Sequence, residues 1–449
     1  LSPWLSDPFQ YTGGWFAISF LLQGGFGALL AQRWTRNPAP ILATAALFLY
    51  APILLNRLPH ATLTAHWLIL ASLWLYFRQQ PRSALAAEAW PWWLLAAISA
   101  LVMPYLAMMV FAVFAAYWSR RVWVDHERRV TEALFAAAIA MALMAALWWL
   151  SGALIVHYRD GGGGVVYGLY SFNLLGFVNS FGMSRLLPML PIAATQQGEG
   201  FAYLGLGMLS LLAVLAIETV WQRRRPHWPK RHWPLVAVTL VLVAYAASTV
   251  LTLGSWKLID FPVASPLLST FRSSGRFVWI AYYLAMLAAV VLAIERFPKL
   301  ASGLLLATLA LQIWDLAPGR VFFANLRNGQ GWPQAEHPLA DPRWDQLAAG
   351  RHHLTLVPPA ACGVPPGSYL PFQLLAAKHA MSLNTAYVAR WDPTANGRYC
   401  AQLVEQLANG RLSTDDLYVV TDEWRERFEH GGQSLLCESL DGFRACVLD

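Results

Sequence analysis

The chain has 449 residues, of which 57% are hydrophobic and 13% charged, with 22 tryptophans and 4 cysteines. That is too apolar for an ordinary soluble protein. The net charge of +7 is uneven: residues 1–315 carry 21 Lys and Arg against 11 Asp and Glu, and residues 316–449 carry 11 against 14. No block interleaves basic with aromatic residues, so the charge gives no support for a nucleic-acid partner.

Eight hydrophobic segments are long enough to cross a bilayer: 10–31, 38–55, 60–77, 131–156, 202–222, 233–253, 276–294 and 299–315. A helix of about 18 residues rises ~27 Å, close to the ~30 Å hydrocarbon core. The connections alternate in charge. One side carries Arg33, Arg36, Arg78, Arg82, Arg120, Arg121, Arg128, Arg129, Arg223, Arg224, Arg225, Lys230, Arg231, Arg296 and Lys299. The other carries Arg57, Arg159, Arg185, Lys257, Arg272 and Arg276. The positive-inside rule makes the first side cytoplasmic. Trp67, Trp74, Trp148, Trp149, Trp233 and Trp279 lie near span ends, as interfacial anchors do.

Parity places Leu1 to Phe9 outside, with neither an initiator Met nor a signal peptide. The expectation is an earlier crossing, with an outer loop ahead of Leu1 able to hold essential residues. Next, Arg57-Leu58-Pro59-His60 and His66 stand at an outer span mouth. Arg57 and His60 suit a phosphate headgroup there, or Arg57 snorkels to lipid. His66 lies deeper, facing a cavity or bonding a neighbouring helix.

Residues 90–118 form one apolar run with basic flanks, so the chain enters and leaves on the cytoplasmic side. Proline disfavours helical geometry in the residue before it, and Met103-Pro104 lies mid-run. The reading is a short helical hairpin, 90–102 and 104–118, re-entrant or not; one long kinked helix is the alternative.

The outer segment 157–201 begins with Gly161 to Gly164, a tether without the Lys-Ser/Thr of a P-loop. Its middle, Tyr170 to Pro191, mixes apolar residues with Asn173, Asn179, Ser184 and Arg185, as an interfacial helix or lid would. Glu199 then enters a span, as a base, a sugar ligand, or a helix N-terminal charge. In Phe271-Arg272-Ser273-Ser274-Gly275-Arg276-Phe277, two arginines flank a helix start with capping serines. Free backbone N–H groups and guanidinium forks suit a phosphate or pyrophosphate; headgroup snorkelling is again the alternative.

Residues 316–449 contain no span and read as a small α/β domain on the outer side. Strands are expected at His353 to Val357 and Leu417 to Val420, and a helix over 399–408. All four cysteines lie here. Cys437 and Cys446 flank Asp441-Gly442, a two-residue hairpin signal, with 440/443, 439/444, 438/445 and 437/446 as facing pairs. An oxidising compartment would bridge Cys437 to Cys446, leaving Cys362 with Cys400. A metal site is the rival reading and lacks Cys-x-x-Cys spacing.

Arg57-Leu58-Pro59-His60 with His66-Trp67, Glu199 to Gly207, Arg272 to Phe277 and Leu383 to Arg390 together resemble an uncharacterised bacterial family of multi-pass proteins. That family is similar in layout to GT-C glycosyltransferases, which use polyprenyl-phosphate-linked sugars at the outer membrane face. The resemblance implies an inner-membrane α-helical polytopic domain, 1–315, with a periplasmic domain, 316–449. It implies donor-phosphate binding by Arg57, Arg272 and Arg276. His60, His66, Asn173, Arg185 and Tyr203 would line the cavity, Glu199 and Tyr203 binding sugar or acceptor. The acceptor would be a glycan, lipid or protein of the envelope, and a divalent Mg or Mn would be the cofactor where one is used. GT-C enzymes place their catalytic acid in the first outer loop, which this chain lacks; Asp7 is a poor substitute, and Glu199 is the candidate base. Met103 stands where relatives carry His before Pro-Tyr. A lipid-linked saccharide transporter and a non-catalytic envelope assembly protein are the alternatives. Neither mid-span charge nor internal repeat favours transport.

Overall fold

A computed structural model of the chain describes residues 11–78, 84–154, 167–222, 230–261, 263, 265, 268, 270–316, 339–363, 369–386, 393–429 and 435–448. Leu1 to Phe9, Asp7 among them, Arg82, Arg159, the Gly161 to Gly164 tether, Arg223 to Arg225 and Tyr387 to Arg390 lie outside the described residues. Two compact units emerge, whose described parts are 11–154 with 167–316, and 339–448.

The first unit is helical. It runs α1 Thr12–Ala31, α2 Pro38–Leu49, α3 Pro52–Leu55, α4 Trp67–Phe77, α5 Leu85–Val102, α6 Pro104–Trp123 and α7 Val130–Leu150. After a long loop come α8 Leu206–Trp221, α9 Trp233–Ala247, α10 Trp279–Arg296 and α11 Ala301–Asp315. Local chemistry sets the boundaries. Asn37 caps α2 by accepting the Ala39 amide at 3.0 Å, with Pro38 at the first helical position. Helix α4 is buried from Trp67 to Leu73, and α10 buries Trp279, Ile280, Tyr282 and Tyr283 in the same core. Helices apolar on nearly every side belong at the centre of a bundle.

Among the described residues, five helical stretches are long and apolar enough to cross a membrane: Thr12–Ala31, Pro38–Leu55, Leu85–Val102, Val130–Leu150 and Ser274–Arg296. Ala61–Phe77, Leu206–Trp221 and Ala301–Asp315 are apolar but shorter. The expected eight full-length spans are therefore not all present among the described residues. Two breaks explain much of the shortening. Ser248 takes φ 63° and ends α9, after which the chain forms a small hairpin, β1 Thr252–Leu253 and β2 Trp256–Lys257. Ahead of α8, Gly205 takes φ 88° where a Cβ would lie 2.0 Å from Gln312 Nε2. Only glycine fits that crossing.

The 90–118 reading is corrected in length. The chain does break at Met103, which is extended (φ −164°), but the arms run to 85 and 123. Glu88 and Arg121 look like loop charges in sequence, yet both are buried inside the arms. Glu88 accepts from Tyr117 Oη at 2.7 Å, Arg128 Nη2 at 2.5 Å and Arg121 Nη2 at 3.3 Å. Arg128 and Arg121 also pair with Glu132 and Glu127. Beside them Asp125 receives Arg231 at 2.9 Å and Arg120 at 3.4 Å, and Arg120 stacks on Tyr76. Cations that sequence counts as free loop charges are thus neutralised side by side at this end of the helices.

The second unit carries α12 Arg343–Ala348, α13 Leu370–Lys378, α14 Pro393–Ala408 and α15 Asp422–Glu429. They accompany strands β3 His353–Val357, β4 Ser382–Leu383, β5 Asp416–Val420, β6 Leu435–Leu440 and β7 Phe443–Leu448. The sheet order is β4-β3-β5-β7-β6, with β3 parallel to β4 and β5, and β7 antiparallel to β5 and β6. Asn384 extends this pairing, accepting the Leu356 amide at 2.9 Å and donating to its carbonyl at 3.0 Å. The β6–β7 register sets Leu440 against Phe443 and Cys437 against Cys446. Disulfides join Cys437 to Cys446 and Cys362 to Cys400, with Cα atoms 4.1 and 5.4 Å apart.

Candidate functional site

The expected site residues sit at the end of the helical unit that carries Met103, where Thr62 Oγ1 lies 3.8 Å from Met103 Sδ. Two 3-10 turns build it, Thr195–Gly200 and Ser274–Val278, the latter leading directly into α10. They meet backbone against backbone. A Cβ on Gly275 would lie 2.7 Å from the Gly200 Cα and from the Tyr170 carbonyl oxygen. The Gly275 amide donates to that carbonyl at 2.9 Å. This close approach delivers Glu199 to the arginines.

Arg57 reaches across 142 residues of sequence, its Nη1 donating to Glu199 Oε2 at 2.9 Å. Its Nη2 donates to the carbonyls of Glu199 at 2.8 Å and Gly198 at 3.2 Å. Arg276 Nε donates to the same Oε2 at 2.9 Å. Aromatic rings back both guanidiniums: Trp279 is 5.4 Å from Arg57, and Tyr105 is 4.7 Å from Arg276. Arg57 and Arg276 are nearly buried, whereas the Glu199 side chain is 23% exposed. Burial alone would raise the Glu199 carboxyl, but Arg57 and Arg276 outweigh it and hold it below the usual range. Burial pulls Arg57 down to about 10, against the pull of Glu199, which leaves it charged at neutral pH. His60 faces the same cluster, and desolvation with Arg57 beside it pushes its imidazole down.

Arg272 differs from its neighbours. Its guanidinium lies 5.3 Å from the Tyr170 ring and meets no carboxylate among the described residues. The expected free amides beside it are engaged: Ser273 donates to Tyr105 Oη at 2.9 Å, and Arg276 to the Ser273 carbonyl at 3.2 Å. Nor do the serines cap the turn; Ser274 is buried, its Oγ without a partner among the described residues.

His66 is fully buried behind Arg57, its ring 4.3 Å from that of Trp279. Trp279 and Trp67 are therefore buried rather than interfacial anchors. Gln23 Nε2 donates to Tyr283 Oη at 3.1 Å, and that hydroxyl shares a 2.8 Å hydrogen bond with His66 Nδ1. His66 Nε2 has no partner among the described residues.

The remaining expected residues are not gathered here. Asn173 donates to Gln197 at 3.1 Å and the Gly254 carbonyl at 2.8 Å, and accepts from Leu175 and Gly254, so its amide braces the loop. Tyr203 and Arg185 converge instead on Asp315, which the sequence gives only as a charge near a span end. Asp315 is fully buried and accepts from Ser184 Oγ, Tyr203 Oη at 2.9 Å, and the amides of Arg185 and Leu206, each at 3.2 Å. Arg185 itself lies over Trp314. The segment 170–191, expected as an interfacial helix or lid, is a series of turns rather than a helix. Asn179 and Ser180 tie its backbone to Leu190 and Leu187.

A divalent ion does not fit this donor set. Glu199 is the cluster's carboxylate and is engaged by two guanidiniums, and no group of three metal-ligating side chains occurs among the described residues.

No curated protein matches the chain. Among solved structures it is similar to the crystal structure of ArnT from Cupriavidus metallidurans in the apo state. The identity is 14% and the TM-score 0.37, covering 96% of this chain and 82% of that one. At that score the likeness fixes neither fold nor activity. A family model described as a domain of unknown function (DUF6311) matches residues 1–317, and one described as the DUF6311 C-terminal domain matches 343–448. The chain belongs to the DUF6311 family.

Proposed function

We propose that this protein is a GT-C-like glycosyltransferase of a bacterial inner membrane. It takes a sugar from a polyprenyl-phosphate donor and passes it to an envelope acceptor. The Arg57 end of the helices and the disulfide-bonded unit face the periplasm.

One observation carries the reading, the difference in charge balance between the two buried arginine clusters, one at each end of the helices. At the Glu88 end, Arg120, Arg121, Arg128 and Arg231 are matched by Glu88, Asp125, Glu127 and Glu132. At the other end, Arg57 and Arg276 share Glu199, and Arg272 meets no carboxylate, among the described residues. Cations held on the side that topology disfavours, and left in surplus, call for an anionic ligand. A lipid phosphate supplies that charge at the depth of a helix mouth. Arg272 makes the first contact, because its guanidinium is uncommitted. Arg57 and Arg276 are buried against Trp279 and Tyr105, where charge-assisted bonds are strongest.

The test is transfer by purified protein from radiolabelled polyprenyl-phosphate sugars to a membrane extract. Arg272→Ala should lower transfer about 10- to 100-fold, the range of a charge-assisted hydrogen bond. Lys257→Ala, which removes an exposed cation paired with Asp260, should leave it unchanged. Donor binding without transfer would replace this reading with transport. Neither binding nor transfer would leave an assembly role.

A further inference from the structure

We infer that Arg57 and Arg276 form an anion seat whose resting occupant is Glu199, and that the donor phosphate binds by taking that carboxylate's place. The inference rests on the lipid-phosphate reading and adds what happens at the site when donor arrives.

The helical unit provides its own standard for a structural carboxylate. Asp315 is fully buried and accepts two donors on each oxygen: Ser184 Oγ and the Arg185 amide on Oδ1, Tyr203 Oη and the Leu206 amide on Oδ2. Glu88 is likewise fully buried and accepts on both oxygens, from Tyr117 on Oε1 and from Arg121 and Arg128 on Oε2. Glu199 departs from both. Arg57 and Arg276 crowd onto Oε2 alone, and Oε1 accepts no hydrogen bond among the described residues. Its side chain is also 23% exposed, while the guanidinium side chains that hold it are only 5% and 10% exposed. The cations are fixed and buried, whereas the anion is shallow and half-used.

Exchange is cheap for the same reason. Arg57 keeps the Gly198 and Glu199 carbonyls when the carboxylate leaves, so the turn stays docked. Trp279 and Tyr105 still back the guanidiniums. A phosphodiester offers oxygens to both forks at once, which a single carboxylate oxygen does poorly. His60 stands beside the seat, close to both Arg57 and Arg276.

Displacement changes what Glu199 can do. Paired, it is a weak base, because Arg57 and Arg276 hold its proton affinity down against the effect of burial. Released, it keeps the burial and loses the arginines, so its proton affinity rises. In transfer it then takes the proton of the acceptor hydroxyl. The acceptor oxygen bonds the anomeric carbon as the bond from that carbon to the phosphate oxygen breaks. The electron pair leaves on the phosphate held by Arg57 and Arg276. The donor thus switches on the base that consumes it.

Binding of farnesyl methyl phosphate, a diester that is monoanionic at every pH used, tests this without any transfer step. Calorimetry of the full-length protein in two buffers of different ionisation heat, at about pH 5.5, reads affinity and proton uptake together. Wild type should take up protons on binding, partly through His60. Glu199→Gln should bind about fivefold or more tightly, because the competing anion is gone. It should also lose the Glu199 share of the uptake. Glu199→Asp, which keeps the charge, should restore both if the glutamine variant folds poorly. Wild-type binding with unchanged affinity and uptake in Glu199→Gln would overturn the exchange and leave the lipid-phosphate reading standing. Absence of diester binding by wild type would overturn both.

Discussion

Three carboxylates in the helical unit show how burial sorts charged side chains into frame and site. Glu88 is fully buried between Arg121 and Arg128, so removing it leaves two buried guanidiniums with only the more exposed Glu127 and Glu132. Breaking such a group costs about 3–5 kcal/mol, because the desolvated partner is left uncompensated. Glu88→Ala should therefore lower the thermal unfolding temperature in detergent sharply, and Glu127→Ala, whose carboxylate is 40% exposed, should barely move it. Equal shifts would mean that the Glu88 group is not the structural clasp its geometry describes. Much at this scale is legible in sequence: Arg57, Glu199 and Arg276 stand out singly, as charges on the sparsely charged side. Their partnership is not, since it spans 142 and 77 residues. Asp315 escapes notice because a carboxylate closing an apolar run looks like any span-end charge, and its donors come from a loop more than a hundred residues earlier.

Elements are legible where a local rule fixes them. Asp441-Gly442 sets the β6–β7 register, because a two-residue turn leaves one pairing available. Strand β3 falls at 353–357 as its apolar run indicates, and Met103-Pro104 ends α5 as proline requires. The helix expected over 399–408 starts earlier, at Pro393, a residue that suits a first turn. Helix lengths in the first unit are harder to read, because the stops at Gly205 and Ser248 lie inside apolar runs and are imposed by tertiary crossings. The disulfides give this scale its prediction. Cys362–Cys400 closes 38 residues and Cys437–Cys446 closes 9 within an existing hairpin. Loop-closure entropy makes the first worth about 4 kcal/mol and the second about 3. Replacing both cysteines of a pair by alanine should therefore lower the denaturation midpoint of the second unit more for 362/400 than for 437/446. The reverse order would show that the hairpin pair carries more than chain closure.

For the whole molecule, the decisive property is which end of the helices faces out. Arg33, Arg36 and Arg78 lie at α-helix ends away from Met103, together with the paired Arg120, Arg121, Arg128 and Arg231. That pairing does not weaken the topology argument. The positive-inside bias acts on the chain while it inserts, before Glu88 and Asp125 are in place to neutralise anything. Helix α7 offers a direct check. It runs 21 residues, a rise of about 31 Å against a ~30 Å hydrocarbon core, so its two ends must lie on opposite faces. Thr131 is exposed at its start, and Leu186 is exposed in the loop that follows it. The native cysteines are all in disulfides and stay silent without reductant. In intact cells with a permeable outer membrane, an impermeant maleimide should label Leu186→Cys at once. It should reach Thr131→Cys only after the inner membrane is broken. The opposite pattern would turn the Arg57 cluster toward the cytoplasm. A periplasmic transfer reaction at Glu199 would then fall, however well the arginines bind phosphate.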